Sequence, residues 1–339
     1  MVINNMFATH VRHSVALIIC ITIALVSLFL ALSFGAADTS IQDVFNSFIY
    51  LNDASFTSRI IFELRVPRTL LAFLAGAGLA IAGLILQTVT RNPLADPYLF
   101  GISSGASFGV VVLMAFVGIS AGFMLSAAAL LGSLLAMSLL ILIATRQQGG
   151  QVESMLLAGV ALSFLFSAFT SLLLYWSEPQ AVAAILFWTL GSFARAQWAT
   201  LWVPFLVITL CTCVMISFRR QLNAMLLGDE SAITLGVKVH RFRLLMLILS
   251  SLITAVLVAM CGGIGFVGLM VPHIVRFFIS QGTVAGLLIT SLAGGTFMVW
   301  VDVLSRSLLR NQELPVGVIT AAMGSAFFLS LLFFRKSKV

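Results

Sequence analysis

Uncharged apolar runs of about twenty residues recur along this chain, and they decide what it can fold into. They lie near residues 14–35, 66–90, 98–118, 121–145, 154–176, 197–218, 242–262, 284–304 and 315–334. A hydrocarbon layer roughly 30 Å thick is crossed by about 20 apolar residues as a helix, which bonds its own backbone groups internally. Composition agrees: 61% of the residues are hydrophobic and 9% charged, where a soluble domain carries roughly 25% charged residues. With a mean hydropathy of +1.15, no water-soluble surface can be built. The expectation is an all-α, polytopic integral membrane protein, with residues 1–339 forming one transmembrane domain.

A tenth crossing is harder to place. Gly262 to Ser280 is apolar but interrupted by Gly263, Gly265, Gly268, Pro272, His273 and Arg276. It either spans as a broken helix, the reading adopted here, or re-enters. A break at membrane depth is tolerated only where protein or a water-filled cavity covers the freed backbone groups. Charge placement tests the count, because Lys and Arg near span ends accumulate on the cytoplasmic side. With ten spans and both termini inside, twelve cations are cytoplasmic: Arg12, Arg91, Arg146, Arg219, Arg220, Lys238, Arg241, Arg243, Arg276, Arg335, Lys336 and Lys338. Six are outside, namely Arg59, Arg65, Arg68, Arg195, Arg306 and Arg310, and seven of the eleven acids are also outside. Nine spans would expose the basic tail, a poorer fit.

Other readings of these features are weaker. Arg12 before the first apolar run and Gly35-Ala36-Ala37 after it suggest a cleaved signal peptide. A run of about 20 residues exceeds the usual 7–15 of a signal core, so an uncleaved first helix is expected, followed by an outside connection over 37–65. The net charge of +7 is spread over short loops and reads as topology, not nucleic-acid binding. Cys20, Cys211, Cys213 and Cys261 lie in apolar runs, and Cys211 and Cys213 point to different sides of a helix. Neither they nor the four His residues form a metal or catalytic set. A phosphate-cradling loop needs a lysine among glycines, yet Lys238, Lys336 and Lys338 all lie elsewhere. If ATP is used, another chain binds it.

The loops carry more information. Between Arg219 and Arg243, the centre from Leu222 to Gly236 has apolar residues at helical spacing, with Gly228 and Gly236 placed to end two short amphipathic helices. Such helices bury their apolar face in a partner or lie on the lipid surface. The stretch Arg91-Asn92-Pro93-Leu94-Ala95-Asp96-Pro97-Tyr98 predicts a sharp cytoplasmic turn. Gly101, Gly105 and Gly109 then recur every four residues, a face on which a second helix can approach closely.

Several strings together resemble the FecCD-type permeases of ABC importers for iron chelates and vitamin B12. They are Arg65-Val66-Pro67-Arg68-Thr69-Leu70, Gly76-Ala77-Gly78-Leu79-Ala80 with Gln87, the Asn92 to Pro97 turn, Gly265-Phe266-Val267-Gly268-Leu269-Met270-Val271-Pro272-His273, and Glu313-Leu314-Pro315-Val316-Gly317-Val318-Ile319-Thr320. The resemblance runs from about residue 60 nearly to the end and implies ten helices with both termini cytoplasmic, in the bacterial inner membrane. It also implies the partners: a second permease subunit, two subunits that bind ATP and Mg, and a periplasmic substrate-binding protein. The chain itself would be no enzyme and hold no cofactor.

The resemblance also assigns roles. Residues 222–236 would be coupling helices docked into the ATPase, with Leu226, Leu227, Ile233 and Leu235 buried there. Gly228, Ala232 and Gly236 would belong to the same coupling segment, with charge or proline at Leu227 or Ala232 abolishing ATPase assembly, and Asp229 and Glu230 would pair at its rim. Arg65, Arg68 and Arg306, with Arg59 and Arg310 as additions, would meet acidic residues of the binding protein. The pathway would run along the fifth and tenth helices, where Ser163, Ser167, Thr320 and Ser325 are the polar members. The cargo would be a ferric siderophore, with haem and then cobalamin as alternatives. Two other classes remain, an ion-coupled carrier and an assembly subunit. The first would normally place ionisable residues in mid-membrane, where this chain has almost none.

Overall fold

The computed structural model describes residues 2–35, 39–50, 55–118, 122–146, 152–279, 283–309 and 312–335. Ala36, Ala37, Ser280, Arg310, Lys336 and Lys338, which entered the sequence reading, lie outside the described residues. Within them the chain is all-α: α1 Val2–Ala31, α2 Ile41–Ile49, α3 Phe56–Arg59, α4 Val66–Thr90, α5 Ile102–Val117, α6 Phe123–Arg146, α7 Val152–Tyr175, α8 Pro179–Thr189, α9 Trp198–Ser217, α10 Arg219–Leu226, α11 Asp229–Thr234, α12 Val239–Cys261, α13 Val267–Arg276, α14 Val284–Ser307 and α15 Val316–Arg335. A π-helical turn, Ile60–Arg65, runs into α4, and a 3-10 turn, Pro97–Phe100, precedes α5.

Among the described residues, eight helical segments are long and apolar enough to cross a membrane. The shorter α5 and α13 fall where the third and eighth crossings are expected, giving about ten. α5 begins later than the apolar run from residue 98 because Asp96 Oδ1 accepts from Tyr98 N at 2.8 Å and caps the 3-10 turn first. The chain then turns through Gly101 at φ +79°. Two outside helices are additions to the sequence reading. α8 lies in what the apolar runs predict to be a connection, and α2 opens on a capping box in which Ser40 and Asp43 satisfy each other's backbone N–H.

α4 is the central post. Most of its 25 residues are buried, and α1, α9, α12, α13 and α14 pack around it. Its contact with α14 needs glycine: a Cβ on Gly76 would lie 2.0 Å from the carbonyl oxygen of Gly294. The spaced glycines of α5 serve α6 in the same way, since a Cβ on Gly132 would lie 2.0 Å from the Gly105 carbonyl oxygen. Gln87 straps α4 to α13, donating to Gly268 O at 3.0 Å and accepting from Arg276 Nη2 at 2.8 Å.

The broken crossing resolves into α12, an irregular stretch from Gly262 to Phe266, and the ten-residue α13. Protein covers the freed backbone groups, as membrane depth requires. The hydroxyl of Tyr98 accepts from Ile264 N at 2.8 Å, and Ser192 N donates to Cys261 O at 2.8 Å. The neighbouring Leu190 and Gly191 carbonyls accept from Gly317 N at 3.0 Å and Val316 N at 3.1 Å. The start of α15 is thereby stitched to the same place.

Candidate functional site

At the cytoplasmic end, α10 and α11 form the pair of short helices expected from residues 222–236. Each divides its side chains between two environments. In α10, Leu222, Ala224 and Met225 are buried against the chain's own core, while Leu226 and the following Leu227 are 47% and 68% exposed. In α11, Ala232 is fully buried, whereas Ile233 and the following Leu235 are 61% and 64% exposed. Gly228 at φ +110° and Gly236 at φ +83° make the two turns. Four large aliphatic side chains are thus presented outward by a segment whose inner face is fixed.

An ion cluster does the fixing. Arg243 Nη2 lies 2.9 Å from both carboxylate oxygens of Asp229, and Arg91 Nη2 lies 3.2 Å from Oδ1. Arg243 is buried and also donates from Nε to Val89 O at 3.1 Å, joining α4, α11 and α12. Two residues of the expected coupling segment are thereby placed. Asp229, whose side chain is 35% exposed, is held by arginines of its own chain. Ala232 faces inward and offers no contact surface. Glu230 remains exposed, and Gly228 sits beside Arg91, whose Nη1 a Cβ there would meet at 3.3 Å.

On the outside, the three arginines expected to dock come together, although largely in internal bonds. Arg68 Nε donates to Asp302 Oδ1 at 2.9 Å and its Nη1 to Glu313 Oε1 at 2.7 Å. Arg306 Nη2 lies 3.3 Å from Asp302 Oδ2 and donates to Ala31 O at 3.0 Å. Arg65 donates to Leu32 O at 2.7 Å and to the Thr39 hydroxyl. Asp302 and Arg306 are buried and Glu313 is exposed. Arg59 stands apart, paired with Glu63 at 3.3 Å on the open surface. Sequence reasoning missed Asp302 and Glu313 as partners of Arg68, which lie more than two hundred residues away; only the four-residue spacing of Asp302 and Arg306 was a signal.

The pathway residues divide. Ser163 and Thr320 bond back to Gly159 O at 2.9 Å and Gly317 O at 3.1 Å, and Thr320 is buried. Ser167 and Ser325 are exposed, on helices whose apolar faces also stand open at Leu157, Phe164, Val318 and Leu329.

The FecCD transport family model matches residues 23–334. The chain belongs to the FecCD transport family. It is 39% identical over 303 residues to the hemin transport system permease protein HmuU of Yersinia pestis, covering 88% of this chain and 89% of that one. It is 37% identical over 276 residues to the molybdate import system permease protein MolB of Haemophilus influenzae, covering 81% of each. A solved structure of a transporter assigned to the metal-chelate ABC type, in an inward-facing conformation, superposes with a TM-score of 0.82 at 32% identity, over 95% of this chain and 99% of that one. As a FecCD member the chain is an ABC importer permease, a multi-pass membrane subunit of a family that works with ATPase subunits and a binding protein. Relatives named for hemin and for molybdate differ widely in cargo, so membership leaves the substrate open.

Proposed function

We propose that this permease moves an iron chelate, a ferric siderophore first and haem second, from the periplasm across the bacterial inner membrane to the cytoplasm. Two such subunits would enclose the path between copies of α7 and α15, with two ATPase chains binding ATP and Mg below and a binding protein delivering cargo above. The observation that carries the coupling half is the outward face of Leu226, Leu227, Ile233 and Leu235, held rigid by Arg243 and Asp229. An apolar face fixed on a buried ion pair suits a partner groove, since a surface that yields cannot transmit force. The outside cluster pairs Arg68 and Arg306 with Asp302 and Glu313, and a charged patch of this kind suits a docking partner of complementary charge. The haem reading is favoured by the relative named for hemin transport, at 39% identity.

The test is uptake into vesicles holding the permease with its ATPase and binding protein, offered labelled ferric siderophore, haem, cobalamin and molybdate. ATP-dependent accumulation of a ferric siderophore is expected. Accumulation of haem alone would select the second reading. Accumulation of cobalamin or molybdate alone would refute the iron-chelate assignment.

A further inference from the structure

We propose that a cavity between the inner ends of α1, α10 and α14 binds the headgroup of an anionic phospholipid, with the acyl chains lying along α1. The cavity has a volume of about 370 Å³ and is bounded in part by His13, Ser14, Leu17, Arg219, Arg220 and Val284. These groups lie where spans meet the cytoplasm: the apolar part of α1 starts at Arg12, α9 ends at Ser217, and α14 starts at Val284. That is the depth of lipid headgroups.

Charge and shape at this place suit the two parts of a phospholipid. Arg219 and Arg220 are exposed, and among the described residues neither forms an ion pair with a carboxylate. Among the described residues no acidic side chain bounds the cavity, so two guanidinium groups and an imidazole border it without a described counter-charge. Guanidinium forks bind phosphate oxygens in a bidentate manner. The N-terminus of α14, where Thr283 Oγ1 accepts from Gly286 N at 3.0 Å, adds the positive end of its dipole. Above the void, Ser14 and Leu17 lead at helical spacing to Ile18, Ile21 and Leu25, all exposed. This apolar strip gives an acyl chain a continuous track from the phosphate into the hydrocarbon, which a free anion would not use.

The binding does not depend on which cargo is carried. The full-length chain in its assembled complex is delipidated, reloaded with phosphatidylglycerol or phosphatidylcholine, and its retained lipid counted by native mass spectrometry. Phosphatidylglycerol is expected to be retained about tenfold over phosphatidylcholine. The preference should vanish in R219Q/R220Q, survive in R219K/R220K, and survive in R146Q, which removes an exposed cytoplasmic arginine on α6 away from the cavity. A preference unchanged in R219Q/R220Q would overturn the proposal. So would equal loss in R146Q, which would mean diffuse charge attraction. Displacement of the lipid by inorganic phosphate at matching concentration would assign the void to a free anion instead.

Discussion

Arg243 and Asp229 meet through one nitrogen that lies 2.9 Å from both carboxylate oxygens, at the point where α11 rests on α12. Replacing Asp229 with Ala leaves Arg243, buried between α4 and α12, without its acid. The expected cost is roughly 1–2 kcal/mol of permease stability, with a larger loss of function. ATP hydrolysis should continue while uptake falls at least tenfold. Uptake per ATP equal to that of the unaltered complex would show that this joint transmits nothing.

Leu227 and Ala232 sit five residues apart and face opposite ways. Leu227→Asp changes a side chain that is 68% exposed, so the permease should fold normally and lose its ATPase in pull-down from detergent. Ala232→Asp places a carboxylate at a fully buried position and should lower the unfolding temperature of the permease alone. If both variants behave alike in both assays, the division of the two faces is wrong.

Asp302 is shared by Arg68 and Arg306 in a buried setting. Removing one partner of such a cluster leaves uncompensated charge, so Asp302→Ala should cost about 3–5 kcal/mol, seen as a large drop in thermal stability and yield. A midpoint within one or two degrees of the parent would contradict the cluster. Arg306→Glu is expected to fail in folding for the same reason, which makes it a poor probe of docking; Glu313→Gln, at the exposed edge, is the better one.

Asp96 supplies a pH dependence. Burial pushes its carboxyl up to about 6, opposed by the bond from Tyr98 N. The folded state therefore holds the proton more tightly than the unfolded chain, whose aspartates titrate near about 4. The resulting stability is fully present below about pH 4 and is lost as pH rises through about 6, a change on the order of 2–3 kcal/mol. Asp96→Asn keeps an acceptor for Tyr98 N and removes the titration. Its thermal midpoint should be higher than the parent's at neutral pH and flatter between pH 4 and 7. Parallel pH curves would show that Asp96 titrates as an ordinary aspartate.

The crossings were legible because each follows from local composition: α4 occupies Val66–Thr90, the span expected there. The glycine and proline pattern marked the break after Cys261, and Gly228 and Gly236 marked the division of the cytoplasmic helices. α8 was hidden because its eleven residues are too few to form a span-length run. The fates of Asp229 and the outside arginines were hidden for another reason. An unpaired charge in a sequence looks available, and only the tertiary arrangement of Arg91 and Arg243, or of Asp302 and Glu313, shows that it is taken.

The seam around Gly262 to Phe266 also sets a timetable for biogenesis. Its partners come from Tyr98 and Leu190 to Ser192, made earlier, and the same patch receives Val316 and Gly317, made later. As the ribosome releases the chain from the N-terminus, the Leu190 and Gly191 carbonyls lack these donors until α15 enters the bilayer. A nascent permease stopped before Val316 therefore lacks the two N–H donors that meet the Leu190 and Gly191 carbonyls, so the outside turn after α8 and the start of α15 are completed together.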